Sequence, residues 1–285
     1  MLKLFVEGVN LGGSKMVTRK PAVAGKFYEG NAEELIKELS LLVKPLPDVE
    51  HKKILGGVSP HAGYIYSGHV AGELYSRIQI PQRIIILSPN HTGFGARISM
   101  FPDGYWETPL GKVKVDSELC TLIQSRYKSI VRETDAHLFE HSLEVQLPFI
   151  QHLKSDFQIA PITLMHLTFK ECEILGRAIS DSIREMGEEV LIIASSDLNH
   201  YEDQKVTEKK DMMAIGKVLS LDPKGLLDVT SRYGISMCGV IPTTVMLILC
   251  LELGAKKAEL LKHATSGDIS GDYNHVVGYG AIWVY

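Results

Sequence analysis

The stretch Ile54–Tyr66, ILGGVSPHAGYIY, constrains the fold of this chain more than any other. Ile54, Leu55 and Val58 read as a buried strand that breaks at Ser59-Pro60 and presents His61 at the break. A second copy, Arg83–His91 (RIIILSPNH), carries an apolar run into Ser88-Pro89 and then His91. Such continuous apolar runs are expected of strands covered on both faces. In open α/β sheets, ligands bind outside the carboxyl ends of the strands. Two histidines at equivalent strand ends therefore point to one site.

The rest of the chain alternates strands and helices. Val190–Ala194 is a third buried strand, ending in Ser195-Ser196-Asp197-Leu198-Asn199-His200. Further strands are expected at Ile159–Met165, Lys257–His263 and Val277–Val284, with shorter ones at Ile98–Phe101 and Lys112–Val115 separated by turns at Pro102-Asp103-Gly104 and Thr108–Gly111. Asn31 reads as the N-cap of a helix that Pro45 and Pro47 stop. Further helices are predicted over Ser67–Ile78, Ser117–Tyr127, Leu138–Leu153 with a break at Pro148, Lys170–Met186, Asp203–Leu219 and Pro242–Leu253. This order predicts one α/β domain over residues 17–285, a mixed central sheet sandwiched by helices. Residues 1–16, which contain Gly12-Gly13-Ser14, read as a flexible N-terminal extension, with translation starting at either Met1 or Met16.

Composition narrows the function classes. With 45% hydrophobic and 22% charged residues, the chain is ordinary for a soluble globular protein. A formal charge of −4 argues against an extended basic surface for nucleic acid. The longest apolar run, Val245–Leu251, is far too short to cross a bilayer. Cys120, Cys172, Cys238 and Cys250 are widely spaced with no CxxC pair, the pattern of reduced thiols in a cytoplasmic protein.

Chemistry-bearing side chains gather at His61, at Asn90 with His91, and at Asp197 with Asn199 and His200. A fourth group, Glu140–Glu144, is expected on a helix, where His141 and Glu144 share a face at i, i+3. Cys238 is the thiol placed in a loop. Two histidines and a thiolate make a three-ligand metal site with an open position. His200 with Asp197 makes a separate acid–base pair, since imidazole titrates near about 6.5. Structural roles compete with these readings. A single histidine beside a strand is usually a structural hydrogen-bonder, and free cysteine is commonly buried. Cys120, Cys172 and Cys250 accordingly go to the core, and His51, His152 and His263 to the surface or its boundary. Asp197 also suits a turn-capping role.

His137-Leu138-Phe139-Glu140-His141 fits H-x-x-E-H, in which two histidines at i, i+4 bind zinc. The motif is short, and Leu138, Phe139, Leu143 and Leu147 give the segment a core face, so a zinc-dependent hydrolase ranks behind the first site.

Together the motifs resemble the signature of the Memo-like proteins. The resemblance is carried by Ala24-Gly25-x-Phe27-Tyr28, Pro60-His61-Ala62-Gly63-Tyr64-x-Tyr66-x-Gly68, Leu87-x-Pro89-x-His91 and Thr108-Pro109-Leu110. It continues through Glu140-His141-Ser142-x-Glu144-x-x-Leu147-Pro148, Ser195-Ser196-Asp197-x-x-His200 and Cys238-Gly239-x-x-Pro242. It implies a fold like the class III extradiol dioxygenases, whose non-haem iron is held by two histidines and a glutamate. By that likeness His61 and His91 match the histidine ligands and Cys238 stands in place of the glutamate. His200 matches the acid–base histidine, while Asp197, His141, Tyr66 and Phe27 line the pocket. Phe27 replaces the family's frequent tryptophan.

The resemblance implies a metal cofactor, iron first with copper or zinc as alternatives, and a redox role. Extradiol activity does not carry over with the fold, because a soft thiolate changes the metal's chemistry. His200, oriented by Asp197, is expected to move a proton to or from a substrate or dioxygen, with His141 and Glu144 supporting the pocket. Implied partners are an AMMECR-type protein, a radical S-adenosylmethionine protein and a peptide ligand. Phe27, Tyr28, Tyr64 and Tyr66 around a polar centre equally suit a non-catalytic peptide- or protein-binding module in the same cleft.

Overall fold

The computed structural model describes residues 16–44 and 51–285. Its strands are β1 (Val17–Arg19), β2 (Gly56–Ser59), β3 (Arg83–Pro89), β4 (Ile98–Met100), β5 (Gly104–Thr108) and β6 (Gly111–Val115), then β7 (Val131–Arg132), β8 (Gln158–Leu164), β9 (Val190–Ser195), β10 (His200–Glu202), β11 (Ala258–Thr265) and β12 (Val276–Val284). Its helices are α1 (Ala32–Leu42), α2 (Tyr64–Tyr75), α3 (Ser117–Arg126), α4 (Leu147–Leu153), α5 (Phe169–Met186), α6 (Gln204–Leu219), α7 (Pro223–Tyr233), α8 (Val240–Glu252) and α9 (Gly267–Ser270).

Among the described residues the strands form one mixed sheet, whose main path runs β1-β5-β6-β8-β3-β9-β2-β12-β10. β8, β3, β9 and β2 run parallel, and β12 returns antiparallel along β2. The α/β class and mixed sheet expected from the sequence are both present. Two adjacent glycines show how helices cover the two faces. Successive strand residues point to opposite faces. A Cβ on Gly56 would lie 2.7 Å from Cys250 Sγ of α8, whereas one on Gly57 would lie 3.0 Å from Leu74 of α2. The helices α8 and α2 therefore sit on opposite faces, each pressed against backbone. α8 packs in turn on α5 and α7, and α2 on α1 and α4. Ile241–Cys250 are all buried, as a helix apolar on every side requires.

Local signals account for most helix ends. The Asn31 side chain accepts from the N–H groups of Glu33 and Glu34. Thr168 and Glu171 form a capping box, and Gly187 ends α5 in the left-handed conformation. The Leu138–Leu153 helix is shorter than predicted. Only Leu147–Leu153 is α-helical, with Pro148 in its first turn and a 3-10 turn at Glu144–Gln146 before it. Upstream, the Glu140 carboxylate accepts the Ser142 N–H and Oγ–H, a local alternative to helical hydrogen bonding. β5 lies between two turn signals that read as one connection; its alternating burial places Trp106 in the core. Residues 1–15 of the expected N-terminal extension, with Pro45 and Pro47, lie outside the described residues. No described helix is long and apolar enough to cross a membrane.

Candidate metal centre

β3, β9 and β2 are neighbours, with β9 in the middle. Just past their carboxyl ends stand His91, Asp197 and His61, with His200 following at the start of β10, so three strand ends that are distant in sequence meet at one point. Cys238 arrives from the loop before α8. Gly239 makes that approach possible: a Cβ there would lie 2.3 Å from Ser196 Cβ and 2.4 Å from the Ser195 carbonyl oxygen. His61, His91 and Cys238 offer ligand atoms that all lie within 4.8 Å of one another.

Hydrogen bonds set the tautomers of both histidines. Ser195 Oγ–H donates to the Ser142 carbonyl at 2.6 Å, so toward His61 Nδ1, at 2.9 Å, that oxygen acts as acceptor. Nδ1 of His61 therefore carries the proton, and its Nε2 lone pair faces Cys238 Sγ at 3.2 Å. His91 donates Nδ1–H to Glu140 Oε1 at 2.9 Å and its backbone N–H to Oε2 at 2.5 Å. Its Nε2 is likewise left free. A carboxylate behind a ligating imidazole fixes ring orientation and raises its basicity.

The electrostatics follow from burial and these partners. Burial, helped by neighbouring His141 and His91, holds the His61 imidazole well below its ordinary pKa. Burial would lower His91 too, but its hydrogen bond to Glu140 and that carboxylate's charge outweigh it and raise the value. Glu140, despite desolvation, is held down to about 2 by His91 and the surrounding N–H donors. Burial and then the Asp197 charge push the Cys238 thiol up. A bound cation would invert that last preference, since a coordinating thiol is deprotonated outright.

His61, His91, Asp197 and Cys238 line a cavity of about 620 Å³, together with Phe27, Ala62, Gly63, His141, His200, Tyr201, Ser236, Val277 and Tyr279. No Lys or Arg is among them. His200 is oriented differently from the expectation. Its Nδ1–H donates to the Ser236 carbonyl at 2.9 Å and its backbone N–H to Ser236 Oγ at 2.8 Å. Ser236 is held by Asn199 Oδ1, which accepts its N–H at 3.1 Å. Asn199 N–H in turn donates to the buried Asp211, which also meets His263 Nε2 at 2.7 Å. Asp197 instead accepts the His61 backbone N–H at 2.8 Å. The expected His200–Asp197 pair is thus replaced by a His200–Ser236–Asn199 relay, and His263 belongs to that buried network.

Other expectations change with the tertiary structure. Glu144 does not line the pocket. It is fully buried, ion-paired with Arg19, and accepts from Ala22 N–H, Val23 N–H and Tyr28 Oη–H. Its i, i+3 relation to His141 fails because the segment is not helical there. Tyr66 is exposed and outside the cavity lining, while Tyr28 and Tyr64 are core residues. Phe27 does form a wall, its ring centroid 4.8 Å from that of His141. His137 is fully buried between the Ser99 and Thr163 hydroxyls, at 3.0 and 3.1 Å. With both ring nitrogens taken and no helix through Glu140, the H-x-x-E-H pattern builds no zinc site. Glu140 and Asn199 stood among the chemistry-bearing side chains of the sequence without the roles they hold here, and nothing in the sequence pointed to Ser236.

The family model for Memo-like proteins matches residues 19–283. The chain belongs to the Memo-like family. A MEMO1 family protein of Pyrobaculum arsenaticum is 46% identical over 278 residues, covering 94% of this chain and 99% of that protein. One from Ignicoccus hospitalis is 45% identical over 280 residues, covering 94% and 98%. One from Saccharolobus solfataricus is 44% identical over 276 residues, covering 92% and 97%. In this Memo-like chain the donor set fits a single transition-metal ion. Two imidazole nitrogens with committed Nδ1–H partners and one thiol converge, as a three-ligand site with an open position requires.

Proposed function

We propose that the protein holds one metal ion on His61, His91 and Cys238, iron in the first place with copper or zinc as alternatives, and that with iron or copper it serves redox chemistry, since zinc has none. The observation that carries this reading is the convergence of three ligand atoms within 4.8 Å, two of them nitrogens whose lone pairs are freed by the bonds to Ser195 and Glu140. A bound metal would supply an electrophilic centre and, as iron or copper, an electron-transferring one. His200, with Nδ1–H held by Ser236, keeps Nε2 as a proton acceptor for a substrate in the cavity. Asp197 braces the His61 backbone, and Phe27 and His141 wall the cavity against water. The absence of Lys and Arg from the lining favours a substrate without phosphate groups. Metal analysis of untagged, anaerobically purified protein tests this. Near-stoichiometric metal that His61→Ala abolishes is expected; substoichiometric metal that the substitution leaves unchanged would overturn it.

A second reading is a peptide- or protein-binding module in the same cleft. It is favoured by Tyr201, 73% exposed beside His200 on the cavity wall, with AMMECR-type and radical S-adenosylmethionine proteins as partners in a cytoplasmic setting. That reading predicts that Tyr201→Ala weakens partner binding while His200→Ala leaves it intact. Redox catalysis predicts that His200→Ala abolishes oxygen consumption or product formation.

A further inference from the structure

We propose that His141 is a fourth, exchangeable metal ligand, closing the His61–His91–Cys238 site until an incoming donor displaces it. This rests on the metal reading above and extends it.

The three imidazoles form a nearly regular triangle. Ring centroids are 5.2 Å apart for His61–His91, 4.9 Å for His91–His141 and 5.5 Å for His61–His141. An imidazole bound at about 2.1 Å has its centroid roughly 3.2 Å from the ion, so two at a tetrahedral angle have centroids about 5.2 Å apart. His141 thus stands where a third imidazole of a tetrahedral centre would stand.

Its hydrogen bonding points the same way. Neither ring nitrogen of His141 has a hydrogen-bond partner among the described residues, although the ring is packed between Phe27 and His91. Its nearest carboxylate oxygen is Glu140 Oε1, 3.6 Å from Nδ1, and the same oxygen accepts His91 Nδ1–H at 2.9 Å. Glu140 Oε1 bonds to His91 and Ser142 and not to His141, so the His141 ring is free to turn. As placed, His141 groups with His91 and Glu140 rather than with His61 and Cys238. Turning the ring about Cβ–Cγ swings Nε2 while leaving the centroid nearly in place, so a ring rotation brings the fourth donor in.

The consequence is a gate at the metal. A site with four protein ligands is closed, and one with three keeps a position for substrate. Exchange breaks the metal–Nε2 bond and forms a bond to the incoming donor, with no proton or electron transferred. The released Nε2 becomes a hydrogen-bond acceptor on the cavity wall.

Cobalt(II) titrated into the metal-free full-length protein, followed by visible absorption, tests this. The wild type should give the strong bands of four-coordinate cobalt. His141→Phe keeps an aromatic ring beside Phe27 but has no donor; it should lose band intensity and bind cobalt at least about 10-fold more weakly, by analogy with the loss of a supporting partner. His141→Ala should behave alike and regain the bands on addition of imidazole. If His61→Ala abolishes cobalt binding while both His141 variants match the wild type, the fourth ligand is disproved and the three-ligand site stands. If wild type binds no cobalt, or His61→Ala binds it unchanged, the three-ligand reading fails and the fourth ligand with it.

Discussion

Glu140 grips His91 twice, taking the backbone N–H on one carboxylate oxygen and Nδ1–H on the other. The residues are far apart in sequence, yet this contact sets the direction of the His91 lone pair. Glu140→Gln keeps the shape but replaces one acceptor with a donor facing Nδ1–H. Metal affinity should fall about 10- to 100-fold, read by competition with a chelator, while the circular dichroism spectrum stays unchanged.

The Asn199 side chain should act on the His200 ring through Ser236. Asn199→Ala removes the acceptor for Ser236 N–H and loosens the carbonyl that holds Nδ1–H of His200. Nitrogen-15 spectra of labelled protein should show His200 as the Nδ1–H tautomer in wild type and as a mixture in the variant. An unchanged tautomer would refute the relay. Metal content should be preserved in both.

The Arg19–Glu144 pair is fully buried. Arg19 also donates to the carbonyls of His137, at 3.0 Å, and Glu140, at 2.6 Å, tying β1 to the loop that carries the site. Arg19→Met strands the Glu144 charge and should destabilise by about 3–5 kcal/mol in urea unfolding. The double variant Arg19→Met/Glu144→Gln should recover part of that loss, because it leaves no lone buried charge.

Gly239→Ala tests the close approach of the Cys238 loop to β9. With Ser196 Cβ and a backbone oxygen both inside 2.5 Å of the new methyl group, the loop must move. Metal affinity is expected to drop although no ligand is changed. Retention of wild-type affinity would show that the Cys238 position is not critical.

Stability should fall with acid through His137. Burial, then the Arg19 charge, hold its pKa down at about 3, against about 6.5 unfolded. Between these values the unfolded chain binds a proton that the native state refuses, so stability declines as pH falls from about 6.5 to about 3, by up to about 1.4 kcal/mol per pH unit. His137→Gln should flatten that part of the profile in denaturant titrations at successive pH values. His61, also held low by burial, contributes in the same direction.

Much of this protein was determined by sequence alone. Apolar runs ending in Ser-Pro-His or Ser-Pro-Asn-His specify buried strands with histidines at their carboxyl ends, because periodicity and punctuation are local properties. They pointed to His61 and His91, whereas Cys238 was singled out by its place in a loop and His200 by the polar run after a third strand, with their roles implied by the family resemblance. Tertiary structure decided what those residues are joined to. Strand order put β9 between β3 and β2, which brought Asp197 to the His61 backbone and left His200 to Ser236. The same packing drew Glu144 to Arg19 and enclosed His137 between two hydroxyls, removing both from the site. Such pairings depend on which distant segments share a neighbour across the sheet, and no local pattern encodes that.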